Sequence, residues 1–256
     1  MKELWTREEM ILVLNLYLKI PFGKMDARNP DVIHMAKIIG RTPNAVALRL
    51  VNYASYDPFL KKRGVSGMTH GGKKCEEYWN EFSNDKERLV FESEKILAKY
   101  EGTTVEEKFS DAIKDIPSGI TGDTKIRQVK IRVNQNVFRQ IVLANYDRKC
   151  ALTGIDLPEL LVASHIIPWS ENEKERLNPE NGICLSMLYD KAFDRGLISF
   201  SNEYKVLFSS RLKENIGKQY YNLYFSPIES AELTIPKKYH INQKFLEWHR
   251  DCIFQK

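Results

Sequence analysis

The sequence predicts an α+β protein, in which an N-terminal all-helical domain with a helix-turn-helix precedes a C-terminal domain of short strands and a helix. Apolar residues recur at helical spacing up to about residue 100. Short β-branched runs bounded by Gly, Pro and Asn dominate from about residue 130 onward. The intervening stretch is rich in Gly, Pro, Ser and Thr and has little periodicity. We therefore predict domains at residues 1–100 and 131–256, joined by a linker at residues 101–130.

The composition is that of an ordinary globular protein and excludes fibrous, disordered and membrane-spanning classes. Of the 256 residues, 43% are hydrophobic and 29% are charged. The apolar run at residues 10–18 is too short to cross a bilayer, which takes roughly 18 or more apolar residues. It also lacks the character of a signal peptide, because Glu3, Glu8 and Glu9 precede it where positive charge is expected. We expect a cytoplasmic protein.

Three helices are predicted within the first 54 residues. Thr6 is a natural N-cap for a helix over residues 7–19, which is apolar nearly all round and should be buried as a central helix. A second helix runs over residues 30–39 and ends at Gly40. Thr42 caps a third helix that continues to about residue 53.

The second and third helices have the spacing of a helix-turn-helix, which makes the third the expected DNA-recognition helix. Residues 5–9 (WTREE) and 40–46 (GRTPNAV) also resemble the Myb or SANT class of three-helix DNA-binding modules. The outward side chains expected to contact DNA are Arg41, Thr42, Asn44 and Arg49.

Basic residues are concentrated around and after this third helix. Residues 40–74 carry seven basic side chains against one acid, which favours contact with phosphate. Lys62 and Arg63 belong to this group, and His70 lies in the glycine-rich loop within it. A solvated loop surface is the alternative interpretation of the segment, and a solvated loop histidine is the alternative for His70.

The C-terminal domain contains an ordered set of short elements. A helix is predicted around residues 136–145, strands at 160–167, 197–200 and 205–209, and a helix at 187–194 capped by Ser186. Four motifs lie within or beside them: residues 150–154 (CALTG), 163–169 (ASHIIPW), 178–185 (NPENGICL) and 189–196 (YDKAFDRG). In this order and spacing they resemble the HNH endonucleases, or ββα-metal nucleases, in the branch fused to DNA-binding domains of bacterial restriction enzymes.

The resemblance implies hydrolysis of phosphodiester bonds with one divalent metal, Mg²⁺ or Mn²⁺. His165 would be the general base, and Asn181 would hold the geometry of the catalytic site. The place of the usual third histidine is held by Asp190, which we interpret as a metal ligand because carboxylates suit hard cations. Ser164 stands where many relatives outside this branch carry a ligand. Asp194 shares a helix face with Asp190 and would assist it, and the alternative for Asp194 is a salt bridge with Arg195 or a structural role at the end of the helix.

Each of these residues also has an ordinary structural interpretation. His165 could be a buried histidine at a strand end, Asn181 a turn residue and Asp190 a helix-surface acid. His249 is expected to be a packed structural residue of an amphipathic helix near the C-terminus.

The sequence therefore predicts a restriction-type DNA endonuclease acting on double-stranded DNA, with or without base modification. Because one such site cuts one strand, a homodimer is expected for a double-strand break. The alternative is a DNA-binding regulator or scaffold with a degenerate HNH domain, for which the missing third histidine is the main argument.

Overall fold

The chain divides into two units, Met1–Ile141 and Val142–Lys256. The structure is a computed structural model that describes residues 4–21, 23–61, 72–236 and 238–256. Lys62, Arg63 and His70 of the predicted basic segment lie outside these described residues. Across the described ranges, no helix combines the length and apolar character that a bilayer span requires.

The described part of the first unit is helical. Its helices are α1 (Arg7–Lys19), α2 (Pro30–Ile38), α3 (Pro43–Ala54), α4 (Pro58–Lys61), α5 (Lys73–Phe82), α6 (Lys86–Tyr100), α7 (Val105–Lys108), α8 (Ser110–Ile113) and α9 (Gly122–Asn145). The last helix continues past Ile141, so its final residues belong to the second unit.

Helix α1 is the buried central helix that the sequence predicts. The Thr6 hydroxyl accepts from the Glu9 backbone N–H at 3.3 Å, and the Glu9 carboxylate accepts from the Thr6 N–H at 2.7 Å. This capping box satisfies two N–H groups that have no partner inside the helix. Residues 9–18 are all buried, and the helix packs against α3, α5 and α6. The prediction of a buried central helix is confirmed. Its physical reason is that a helix that is apolar nearly all round has no polar face to expose to water.

Helices α2 and α3 begin where the sequence places them. The Asn29 side chain accepts from the Asp31 N–H at 2.8 Å, with Pro30 next to it in the first turn. The Thr42 hydroxyl accepts from the Ala45 N–H at 3.2 Å. Both starts combine a capping side chain with proline at a position where its missing N–H costs no hydrogen bond.

The interval predicted as a linker, residues 101–130, is folded. It holds α7, α8 and the first turns of α9, and the division between the units falls later, after Ile141. Two pairs of side chains, one from α7 and the residue after it and the other from α9, form a buried cluster: Val105, Phe109, Val129 and Val133. The apolar residues are too sparse to give a strong periodic signal, and only their tertiary packing makes the segment part of the first unit.

The second unit is a mixture of short strands and helices. Its strands are β1 (Leu161–His165), β2 (Gly182–Ser186), β3 (Ile198–Phe200) and β4 (Val206–Phe208), and its helices after α9 are α10 (Met187–Asp194), α11 (Ser210–Lys213), α12 (Gln219–Tyr224) and α13 (Gln243–Cys252). Strand β1 pairs antiparallel with β2, and β3 pairs antiparallel with β4. The chain thus has both helical and strand-containing parts, as an α+β class requires.

His249 is a packed structural residue, as predicted. Its ring is stacked on Phe193 with centroids 3.7 Å apart, and Nε2 lies 3.1 Å from the Phe193 carbonyl oxygen. Because a carbonyl only accepts, Nε2 carries the proton, and Nδ1 accepts from the Ser199 hydroxyl at 2.9 Å. Burial lowers the pKa of His249 to about 4, so the ring is neutral in the folded protein.

This buried neutral ring predicts a loss of stability in acid. The folded pKa of His249 lies below the unfolded value of about 6.5, so the unfolded chain binds more protons as the pH falls from 6.5 toward 4. Between pH 7 and pH 5, wild type is expected to lose about 2 kcal/mol more unfolding free energy than His249→Gln. Urea unfolding at both pH values measures the difference. Equal losses in the two proteins would contradict this account of His249.

Candidate functional site

Strands β1 and β2 and helix α10 form a ββα arrangement. The strands pair in register from Leu161 opposite Ser186 to His165 opposite Gly182. Helix α10 begins directly after β2, with Ser186 at its N-cap position, and packs on both strands. Residues 166–181 connect the two strands and return the chain to the end of β1. This places His165 at the exit of β1, next to the connecting loop.

The His165 ring is held in one tautomer by the loop. Nε2 lies 3.0 Å from the backbone carbonyl oxygen of Arg176, so Nε2 carries the proton and Nδ1 holds the lone pair of the neutral ring. Trp169 packs edge-on against the imidazole, with ring centroids 5.5 Å apart. Burial lowers the pKa of His165 to about 4, and the hydrogen bond to Arg176 offsets only part of this effect. The ring is therefore neutral near pH 7.

Asn181 fastens the two ends of the loop. Its side chain is buried, with 1% of the residue exposed. The amide oxygen accepts from the Ile167 N–H at 2.8 Å, and the amide nitrogen donates to the carbonyls of Ile167 at 3.0 Å and Glu175 at 3.2 Å. These contacts lie one residue before Arg176 and two residues after His165. Asn181 thus fixes the backbone that holds the imidazole.

The Arg176 side chain stiffens the same loop. Its Nε donates to the Trp169 carbonyl at 2.8 Å, and the guanidinium lies over the Trp169 ring at 5.3 Å from the centroid. A terminal nitrogen also lies 3.4 Å from the Glu173 carboxylate. The carbonyl that orients His165 therefore belongs to a residue fixed at both its main chain and its side chain. Sequence reasoning missed this carbonyl because a main-chain acceptor leaves no trace in residue identity.

Asp190 lies with Ser164, on a different side of β1 from His165. Side chains alternate along a strand, so consecutive residues point to opposite faces. Ser164 is buried, and its hydroxyl has no hydrogen-bond partner within the described part of the chain. Among the described residues it completes no hydrogen bond of good geometry, but it lies close enough to the Asp190 carboxyl for a weak interaction that acts to lower the pKa of that carboxyl, against the stronger effects that raise it.

The two carboxyls of α10 lie one turn apart, and the pKa of each is raised above its ordinary value. Burial, and then the nearby charge of Asp194, raise the pKa of Asp190 above its usual value. Burial also raises the pKa of Asp194, against weaker opposing effects of Lys191 and Arg195. The predicted convergence of base, amide and carboxylate is therefore only partly present. His165 and Asn181 share the loop side, while Asp190 shares the other side with Ser164 and Asp194.

The described residues include no group of three or more His, Cys, Asp or Glu side chains arranged to hold a metal ion. The donors that do lie together are the Asp190 carboxyl, the Asp194 carboxyl one turn away and the buried Ser164 hydroxyl. These are oxygen donors, which suit Mg²⁺ and Mn²⁺, and Mg²⁺ often takes only one or two carboxylates and completes its shell with water and phosphate. The donor set fits such a cation.

The predicted DNA-contacting residues of the first unit are differently placed. Asn44 is exposed, and Thr42 is exposed but uses its hydroxyl as the helix cap. The Arg49 guanidinium lies 4.7 Å from the centroid of the Trp5 ring, with a nitrogen 3.6 Å from Cys75 Sγ. Of these three residues, only Asn44 is exposed and has a side chain that, within the described structure, neither caps a helix nor lies over an aromatic ring.

Arg41 does not point outward, contrary to the sequence prediction. Its Nε donates to Glu9 at 2.8 Å and a terminal nitrogen donates to the second carboxylate oxygen at 3.0 Å. The Arg41 and Glu9 side chains are 17% and 7% exposed. This bidentate pair neutralises a buried carboxylate, and its partners lie 32 residues apart in the sequence. Arg41 therefore contributes to folding of the first unit.

Arg41→Ala is expected to lower the free energy of unfolding by about 3 kcal/mol, because it leaves the Glu9 carboxylate buried without its partner. Arg28→Ala is the matched control, since the Arg28 side chain is 93% exposed and pairs only across a short loop with Asp26. Urea unfolding of both variants measures the difference. If the two variants were equally stable, the structural role assigned to Arg41 would be wrong.

Comparison with known proteins agrees with the ββα arrangement. A family model described as an HNH endonuclease matches residues 150–201, which include β1, β2, α10 and β3. A search of curated proteins finds no match to this chain. The matched interval thus supports an HNH domain in the second unit, the class of domain that acts on nucleic acid.

Proposed function

We propose that this protein is a metal-dependent DNA endonuclease in which His165 is the general base. The proposal rests on the end of β1, where the side chains of two consecutive residues, Ser164 and His165, point to opposite faces of the strand. His165 is oriented by the loop on one side, and Ser164 lies beside the carboxyl of Asp190 on the other. The match of residues 150–201 to HNH endonucleases supports the same assignment.

Two sides are what an in-line displacement requires. The attacking water and the departing oxygen lie on opposite sides of the phosphorus atom, so a base and a cation that act on them must also lie on opposite sides. The Cα atoms of Ser164 and His165 are about 3.8 Å apart. We place the scissile phosphodiester at this end of β1, between the imidazole and the Asp190 carboxyl. The separation of His165 from Asp190 is consistent with hydrolysis for this reason.

His165 takes the proton of the attacking water at Nδ1. Its Nε2–H stays donated to the Arg176 carbonyl, which stabilises the imidazolium that forms. The new bond joins the water oxygen to phosphorus, and the bond from phosphorus to the 3′ oxygen breaks. An anionic phosphate beside the ring raises the pKa of His165 from about 4 toward the range of an effective base.

Asp190, with Ser164 and Asp194, would hold the divalent cation, Mg²⁺ or Mn²⁺. When bound, the cation would offset the charge that develops on the phosphate and the departing 3′ oxygen. These three residues would supply oxygen donors, and a nearby positive charge would stabilise the ionised carboxylates. The raised pKa values of both carboxyls fit this role, because a bound cation would stabilise the charged forms that burial disfavours in both and that the charge of Asp194 further disfavours in Asp190.

The finer parts of the proposal concern substrate and assembly. We assign double-stranded DNA as substrate, with or without modified bases, a restriction-type role in the cytoplasm, and a homodimer as the form that makes double-strand breaks. The first unit contributes DNA contact through Thr42, Asn44 and Arg49. Arg41 is left out of this set because of its pairing with Glu9.

A non-catalytic DNA-binding regulator or scaffold is the second candidate. It is favoured by one observation, that the described residues hold no group of three metal-ligating side chains. The test is incubation of the pure full chain with supercoiled plasmid, modified and unmodified, in Mg²⁺ or Mn²⁺. The endonuclease proposal expects metal-dependent nicking of at least one plasmid. No nicking of any plasmid under any of these conditions would favour the scaffold.

A further inference from the structure

The long helix α9 carries a polar stripe without acidic residues. Over its length, Gly122–Asn145, it has five basic residues against the single acid Asp123. Residues at positions i, i+3, i+7, i+10 and i+14 lie on one face of a helix. In α9 these positions, which we call the α9 stripe, are Lys125, Gln128, Arg132, Gln135 and Arg139. The stripe extends about 21 Å along the helix axis.

The stripe faces away from the buried side of the helix. Lys125 and Arg132 are exposed, whereas Val129, Val133 and Val137 are buried on another face. In the described part of the chain neither Lys125 nor Arg132 forms an ion pair, and Arg132 donates to Gln135 at 3.3 Å. These two positive charges are therefore not neutralised by a carboxylate of this protein in the described structure.

The basic side chains around α3 contrast with this arrangement. Arg41 is paired with Glu9, and Lys74 donates to the Trp5 carbonyl at 2.9 Å. Binding DNA through them would require breaking contacts within the protein. Binding through Lys125 and Arg132 would break no ion pair within the described part of the chain. The α9 stripe thus offers positive charge at a lower cost.

We propose that the α9 stripe binds the phosphate backbone of duplex DNA. Lysine, arginine and glutamine are side chains that donate to phosphate oxygens, and such contacts position a protein on DNA without reading sequence. The stripe belongs to the first unit, and the helix that carries it continues into the second unit, where the proposed cleavage site lies. The choice of duplex DNA as the polyanion rests on the proposed nuclease function.

The test is the binding of a fluorescent 20-base-pair duplex to the full chain in EDTA, where no cleavage occurs. We compare wild type with Lys125→Glu/Arg132→Glu and with Lys24→Glu/Arg28→Glu, a control of the same residue types and the same charge change. The control residues are exposed and lie outside α9. Far-ultraviolet circular dichroism verifies that both variants are folded.

The stripe variant is expected to bind about tenfold more weakly at about 50 mM salt. Its slope of log affinity against log salt should fall by about 2, because each phosphate contact contributes about 0.9. The control is expected to remain within about twofold of wild type. Lys125→Gln/Arg132→Gln should show the same loss of slope with a smaller loss of affinity, since it removes charge without adding repulsion.

Equal affinity and slope in the stripe variant and the control would overturn the proposal. A wild-type protein that does not bind the duplex, or that binds single-stranded RNA of equal length more tightly, would also overturn it. Plasmid nicking is measured separately. If the stripe variant lost DNA binding and wild type did not nick, the α9 stripe would be supported and the nuclease function rejected. If wild type nicked and the stripe variant bound DNA as the control does, the nuclease function would be supported and the α9 stripe rejected.

Discussion

His165→Ala is expected to lower the rate of plasmid nicking by about 10³-fold, in the middle of the range that general base catalysis contributes. The variant keeps β1, because the substituted residue is the last of the strand and its backbone pairs with Gly182 independently of the ring. It removes the only atom that we assign to accept the proton of the attacking water. Single-turnover nicking with protein in excess measures the effect on the chemical step.

The matched control is His34→Ala. His34 lies on α2, its side chain is 68% exposed, and its nearest carboxylate partner is 4.0 Å away. This variant is expected to nick at the wild-type rate. DNA binding in EDTA should be unchanged in both variants, so that any loss is assigned to catalysis. Nicking by His165→Ala within about twofold of His34→Ala would remove His165 from the mechanism.

Asp190→Asn is expected to affect metal binding and stability in opposite directions. Loss of a carboxylate ligand should raise the Mn²⁺ concentration required for nicking by about 10-fold to 100-fold. In the metal-free protein the same change removes one of two interacting carboxyls whose pKa values are raised by burial. The variant should then unfold at higher urea concentration, by about 0.5–1 kcal/mol, as residues selected for binding often cost stability.

This pair of readouts separates a metal ligand from a helix-surface acid. Asp156→Asn is the control, since Asp156 is exposed and lies outside the ββα elements. It should change neither the Mn²⁺ requirement nor stability. Direct titration with Mn²⁺ gives a measure that does not depend on activity. If Asp190→Asn bound Mn²⁺ as wild type does, Asp190 would be a structural acid and the assigned cation site would be incorrect.

Elements set by local chemistry could be predicted from the sequence. Thr6 and Thr42 cap their helices through hydroxyl contacts three residues away, and the sequence shows both partners. The boundaries of α1 and of α10, at residues 7–19 and 187–194, also match the structure, although the predicted cap of α10 differs in one respect: in the described part of the structure, Ser186 occupies the N-cap position without a capping hydrogen bond from its side chain. The strand ending at His165 also lies within the predicted interval.

Contacts between residues distant in the sequence could not be predicted. The sequence predicts that Arg41 faces DNA, because none of its neighbours in the sequence shows that Glu9 neutralises it. The fold of residues 101–130 depends on packing of Phe109 and Val129, which are 20 residues apart in the sequence, and the segment therefore reads as a linker. Both differences arise because tertiary partners decide exposure and order, while a local pattern carries only propensity.

For the candidate site, the motifs identify residue types but not their relative placement. His165 and Asn181 could be named from the sequence, whereas the Arg176 carbonyl that orients the ring is a main-chain atom. The motifs also do not reveal that Asp190 lies beside Ser164 rather than on the imidazole side. The reason is that side chains alternate along a strand. The residues expected to form one cluster therefore lie on two opposite faces at the end of β1.

The most direct test of these two sides is a crystal structure of His165→Asn with duplex DNA and Mn²⁺, recorded at a wavelength that locates manganese. We predict manganese beside the Asp190 carboxylate and the Ser164 hydroxyl, with a phosphodiester between the metal and the position 165 side chain. Manganese at another place on the protein, or DNA bound with no phosphate near the end of β1, would contradict the proposed site.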